Sequence, residues 1–186
     1  APLYVAIENG YFEAEGIDLE IEYSFNEADG LNRIALNDLQ FGIISGEQVL
    51  IGRGADKPVV YVYEWFEQFP VGIVAPTESG IETPEDLRDK KVGIPGPFGA
   101  SYMGLRALLS EFDMDELELQ LESIGFTAPE AVCTDLVEAA VVYIANEPLT
   151  IQENCFDVSV IFISDYVDLV SNGLITNEET LENNPE

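Results

Sequence analysis

Histidine is absent from this chain, and with it the commonest general base and metal ligand. Basic residues are scarce: 7 Lys and Arg stand against 36 Asp and Glu, for a formal net charge of -29. Nucleic acid and anionic membrane surfaces repel such a chain. Two cysteines, Cys133 and Cys155, are too few to build a metal site of their own. The burial habit of cysteine favours two unpaired core thiols here, with a disulfide between them as the alternative. No apolar run approaches the ~20 residues needed to cross a bilayer. No basic segment followed by an apolar stretch opens the chain at Ala1-Pro2, so no export signal is visible.

What the chain does have is apolar content, 47% of 186 residues, enough for one ordinary core or two small lobes sharing a hinge. Its acidic residues are spread along the whole length rather than gathered in a tail. That distribution reads as a solvated acidic surface, suited to a salt-rich habitat or simply to solubility. It says little about a ligand, because a pocket can differ in sign from the surface around it.

Periodicity divides the chain into alternating short elements. Pro2 suits the first turn of a helix that Asn9-Gly10 ends. Residues 17–23 alternate strictly between apolar and polar, which predicts a strand. A helix follows around 30–37, a buried strand at 41–44, and a helix opened by Ser45-Gly46. Further strands are expected at 59–63, 71–75, 91–94, 117–124, 139–144, 158–163 and 174–176. Helices are expected after Thr83-Pro84, at 101–111, at 128–136 and at 148–153. Strands alternating with helices predict an α/β protein with parallel sheets and ligand sites at the carboxyl ends of strands.

Several segments carry a resemblance. Pro2-Leu3-Tyr4-Val5-Ala6-Ile7-Glu8-Asn9-Gly10-Tyr11-Phe12, with Glu15-Gly16-Ile17 after it, resembles the opening of type II periplasmic binding proteins. Thr83-Pro84-Glu85-Asp86-Leu87, Lys91-Val92-Gly93-Ile94-Pro95-Gly96, the stretch from Gly99 to Leu109, Tyr143-Ile144-Ala145-Asn146-Glu147-Pro148 and Asn172-Gly173-Leu174-Ile175-Thr176-Asn177-Glu178 sharpen it. Together they look most like the riboflavin-import binding proteins within the thiamine-precursor and taurine-like group. Asn37-Asp38 departs from the family, which prefers a small residue and glycine there.

The resemblance implies two α/β lobes with a ligand cleft between them. Lobe one would be 1–75 plus 166–186, and lobe two 76–165. It also implies a monomer outside the cell membrane that captures a small aromatic solute and delivers it to an ABC transporter permease. Riboflavin is the favoured ligand, and a thiamine pyrimidine precursor the alternative. No cofactor is implied. Family members begin with a further strand and continue for several more helices, so the chain reads as a part of such a protein.

Four constellations are candidates for the ligand site. In Gly96-Pro97-Phe98-Gly99-Ala100-Ser101-Tyr102, glycines allow close backbone approach and helix-start amides can meet a carbonyl or an anion, with Ser101 and Tyr102 as polar contacts beside Phe98. The other reading is plain turn chemistry. Ser45, Glu47 and Gln48 open a helix after a strand, and Ser45 alternatively serves only as its cap. Trp65 and Phe66 sit in a loop where a flat heterocycle can stack, or where they pack a hinge. Tyr143, Asn146 and Glu147 end a strand and offer donors and acceptors, unless Asn146 and Glu147 only cap the next helix. Asp165 lies at the second expected crossover.

An enzyme on the same fold is the competing class. A relative of this fold makes the thiamine pyrimidine with histidine and a cysteine-rich cluster, neither of which this chain has. Other relatives are dehydratases that rely on carboxylates, and Glu47 or Glu147 could serve as a base. No carboxylate pair stands out by spacing, so a binding module is expected rather than an enzyme.

Overall fold

The computed structural model describes residues 2–24 and 26–184. Ala1, Pro185 and Glu186, all inside the range expected for lobe one, lie outside the described residues, as does Phe25.

The chain begins with two short helices, α1 (Pro2–Glu8) and α2 (Tyr11–Ala14), separated by Gly10 in the left-handed region, and neither has a buried residue. Residues 17–23 form no strand ladder. This corrects the alternation-based expectation, and the reason is that no other strand pairs with the segment among the described residues. The polar and aromatic groups of the segment bind helices instead: Glu22 pairs with Arg33, and the Tyr23 hydroxyl meets that of Tyr4 at 2.9 Å.

The first sheet is small and wholly antiparallel. Its strands are β1 (Phe41–Ser45) and β2 (Val59–Glu64), with a third strand, from residues 172–177, hydrogen-bonded between them. Helices α3 (Glu27–Ala35) and α4 (Gly46–Gly54) flank β1 in sequence. Leu31, Ile34, Ile44, Val49, Val59 and Ile175 form the core under this sheet. At the β1–α4 junction the backbone passes so close to the chain near Val170 that a Cβ on Gly46 would lie 2.0 Å from the valine side chain. Only glycine fits there.

The second sheet has five strands in the order β5-β4-β6-β3-β7. They are β3 (Val71–Pro76), β4 (Lys91–Ile94), β5 (Gln120–Ser123), β6 (Ala139–Tyr143) and β7 (Val158–Phe162). Strand β4 runs parallel to β5 and β6, whereas β3 is antiparallel to β6 and β7. The expected parallel sheets are thus realised in only part of one sheet. Alternation of strands and helices cannot reveal that β3 enters from the other side. Residues 71–75 are buried throughout, as befits a strand covered on both faces.

One face of this sheet packs against α5 (Gly99–Glu111) through Leu105, Leu108 and Leu109, each worth about 1.5–3 kcal/mol of burial. The other packs against α6 (Ala128–Cys133) and α7 (Glu147–Asn154) through Ala131, Val132 and Ile151. Cys133 and Cys155 are joined in a disulfide, with Cα atoms 5.9 Å apart, which ties the carboxyl ends of α6 and α7 together. This corrects the expectation of two unpaired thiols. Helix packing on one sheet face brings together residues whose separation in sequence carries no such signal. The Thr83 helix start is present with its Asp86 capping box, but the helix is a single 3-10 turn, Pro84–Leu87.

The chain passes between the sheets twice, through 65–70 and through 163–171. The return passage leads into β8 (Asn172–Asn177), the central strand of the small sheet, and α8 (Glu178–Asn183) follows.

Candidate functional site

A cleft of about 770 Å³ lies between the two sheets. Ser24, Asn26, Glu27, Ala28 and Gln48 line it from the side of α3 and α4. Pro95, Phe98, Gly99, Ala100, Ser101, Phe126 and Tyr143 line it from the five-stranded side. The latter residues follow or end β4, β5 and β6. These are carboxyl ends of parallel strands, where the crossovers leave a crevice. The volume lies within the ~300–1,000 Å³ usual for small-molecule sites.

Beside the cleft, one hydrogen-bonded chain joins the two sheets. Tyr143 donates from its hydroxyl to Asn172 Oδ1 at 3.3 Å, and Asn172 Nδ2 donates to Ser45 Oγ at 3.4 Å. The Ser45 hydroxyl in turn donates to Glu27. Ser45 and Asn172 are register partners at the end of the β1–β8 ladder, which is why they meet. A Cβ on the neighbouring Gly173 would lie 2.1 Å from the Tyr61 ring, so glycine is required there as well.

The electrostatics of this region are negative. Burial, and next the charge of Glu27, push the Tyr143 hydroxyl up to about 12, with smaller contributions from Glu47 and Glu147. Burial also raises Glu47 and Glu147 above the usual carboxylate range. Among the described residues, Glu47 Oε1 and Glu147 Oε2 are buried oxygens without a hydrogen-bond partner.

The structure gathers Gln48, Phe98, Ser101 and Tyr143 into the cleft wall, with Ser45 in the network behind it. Tyr102 faces elsewhere. Its hydroxyl donates to both carboxylate oxygens of Glu116, at 3.0 and 2.9 Å, and Arg106 stacks on its ring. One residue along a helix turns a side chain by about 100°, enough to take it off the face that Ser101 shares with the cleft. Trp65 and Phe66 are half-buried in the first passage between the sheets, and Trp65 donates its backbone N–H to the Asn172 carbonyl. Phe66 lines a separate hollow of about 480 Å³ with Pro70 and Ile144. Asn146 is the exposed N-cap of α7, and Asp165 is exposed at the end of a short 3-10 turn.

Sequence reasoning missed Ser24, Asn26, Glu27, Phe126 and Asn172. Asn26 and Glu27 carried a signal, since Asn26 caps α3 and accepts from the Asp29 N–H at 3.1 Å. Phe126 follows β5, at a strand end of the kind that usually meets a ligand.

Two open sheets of this topology, joined by two passages and lined at their strand ends, define the type II periplasmic-binding-protein fold. The structure superposes with a TM-score of 0.80 on the periplasmic aliphatic sulphonate binding protein SsuA of Escherichia coli, at 15% identity, covering 98% of this chain and 63% of that one. Residues 1–186 match the family described as NMT1/THI5 like, and the chain belongs to it. Riboflavin-binding protein RibY of Chloroflexus aurantiacus is 36% identical over 189 residues, covering 100% of this chain and 54% of the relative. A formylaminopyrimidine-binding protein of Halalkalibacterium halodurans is 28% identical over 190 residues, covering 99% and 56%. The chain thus spans about half the length of the curated relatives it matches.

Proposed function

We propose that this chain is part of the solute-binding component of an ABC importer, and that the cleft between its sheets holds riboflavin for delivery to the permease. The observation that carries this reading is the cleft itself. It has an aromatic wall of Phe98, Phe126 and Tyr143 and a polar opposite wall of Ser24, Asn26, Glu27 and Gln48. A flat heterocycle buries its faces on the first and pairs its polar edge with the second. The amides opening α5 at Gly99-Ala100-Ser101 add donors for a ring carbonyl. The identity to RibY directs the choice of solute.

The two lobes are read as one unit on each sheet. The hydrogen bonding of β3 within the five-stranded sheet supports a division in the passages 65–70 and 163–171, in place of the boundary expected after residue 75. Closure about these passages would bury the ligand. The disulfide fits an oxidising compartment outside the cell membrane. It also ties up both thiols, so neither is free as a nucleophile or metal ligand. The names of the relatives, both binding proteins, support binding rather than catalysis.

Calorimetric titration with riboflavin, and separately with formylaminopyrimidine, tests the reading. Saturable binding of riboflavin is expected. Binding of the pyrimidine alone would keep the class and change the solute. Phe126→Ala should weaken riboflavin binding about three- to tenfold through lost ring contact. Trp65→Ala should change it less than about twofold, since Trp65 does not line the cleft. A larger loss at Trp65 than at Phe126 would overturn this placement.

A further inference from the structure

Glu27 is the one charged side chain among the described residues lining the cleft. It stands in the first turn of α3, and its bond to Ser45 places its carboxylate beside the amino end of α4. Glu47 occupies the first turn of α4 itself, and one of its oxygens is buried without a partner among the described residues. Helix amino ends ordinarily draw anions. Here two of the helix starts facing the cleft already hold carboxylates of the protein. The third, α5, has no acid in its first turn and leaves its amides for a neutral carbonyl.

No positive side chain offsets these acids. Arg33, Arg53, Arg88, Lys90 and Arg106 are each in an ion pair with a glutamate, and none of the seven basic residues lines the cleft. Cleft walls of low dielectric concentrate a field of one sign. A carboxylate on the cleft wall can accept from an N–H or O–H group of a ligand, whereas a second anion there adds repulsion.

We propose that the cleft selects by charge, taking uncharged, donor-bearing solutes and discriminating against anionic ones, so that riboflavin binds and its 5′-phosphate ester does not compete. This rests on the flavin reading above and deepens it. Glu27, on the cleft wall, and Glu47, close enough to Glu27 for their charges to interact, are the residues that set the selectivity through their negative charge. The fold itself does not impose this, since SsuA shares it and is named for binding aliphatic sulphonates.

The test is titration of the protein with riboflavin and with riboflavin 5′-phosphate, followed by quenching of flavin fluorescence. At low salt the ester should bind roughly ten- to hundredfold more weakly. Raising NaCl to about 1 M should narrow that gap as the charges are screened. Glu27→Gln and Glu47→Gln, made singly so that a folding failure in one leaves the other informative, should each narrow it by improving ester binding. Equal affinity for the two flavins would overturn the proposal and leave the flavin reading standing. A gap that neither salt nor either substitution alters would also overturn it. Binding of neither flavin would sink the flavin reading and the proposal with it.

Discussion

Replacing both Cys133 and Cys155 by serine removes the cross-link between the ends of α6 and α7, and the cost can be worked from the sequence separation of 22 residues that it closes. Constraining a loop of that length in the unfolded chain removes about 11 cal/mol/K of entropy, or about 3 kcal/mol at 25 °C. The folded state should change little, because both helices remain packed on the sheet through Ala131, Val132 and Ile151. The assay is equilibrium unfolding in urea, read by circular dichroism. With a slope of about 2 kcal/mol/M, the midpoint should fall by roughly 1.5 M. Unfolding the unsubstituted protein in the presence of dithiothreitol should give the same displaced curve. A midpoint that moves less than about 0.3 M, with the slope unchanged, would refute the reasoning and show that the α6–α7 pairing persists in the unfolded ensemble.

Two further predictions concern charge. Burial raises Glu47 and Glu147 in the folded state, so the fold binds their protons more readily than the unfolded chain does. Their destabilising contribution is therefore absent below the usual carboxylate range and grows as pH rises through their raised values. Denaturation midpoints measured between about pH 5 and pH 7 should fall with rising pH, and less steeply in Glu47→Gln; an identical slope in the variant would contradict this. The net charge of -29 predicts self-repulsion relieved by salt. The thermal midpoint should rise by roughly 5 °C between about 0.05 M and 1 M NaCl, and a flat response would show that the surface acids are too dispersed to matter.

Much of the fold was legible because local chemistry set it. Lys91–Ile94 is a strand at the expected residues, and the apolar run at 71–75 marked β3. Partnership was not legible. Residues 17–23 alternate as a strand should, but no neighbouring strand meets them, and alternation alone forms no ladder. The direction of β3 and the insertion of β8 between β1 and β2 depend on which strands become neighbours, which no local pattern records. The site divides along the same line. Of the residues named from the sequence, Gln48, Phe98, Ser101 and Tyr143 line the cleft and Ser45 stands in the network beside it; each ends a strand or lies in the loop or helix that follows one. Tyr102 misled because a helix turns between consecutive residues, and the Glu116 carboxylate that holds it is a tertiary partner. Asn172 became visible only through the β1–β8 register, which sets it opposite Ser45.

The place of β8 bears on how the molecule is made. Strands β1 and β2 have no hydrogen bonds to each other, and each finds its ladder only on β8, whose residues lie more than a hundred positions later than Tyr61. During synthesis the large sheet has all its strands while β1 and β2 still present open edges. Contacts of such long range form slowly and leave strand edges exposed in the interval. The joint between the two sheets, from Tyr143 through Asn172 to Ser45, is therefore assembled late. A chain truncated before residue 172 would keep all five strands of the large sheet, leave β1 and β2 without their shared partner and lack the Asn172 link between the sheets.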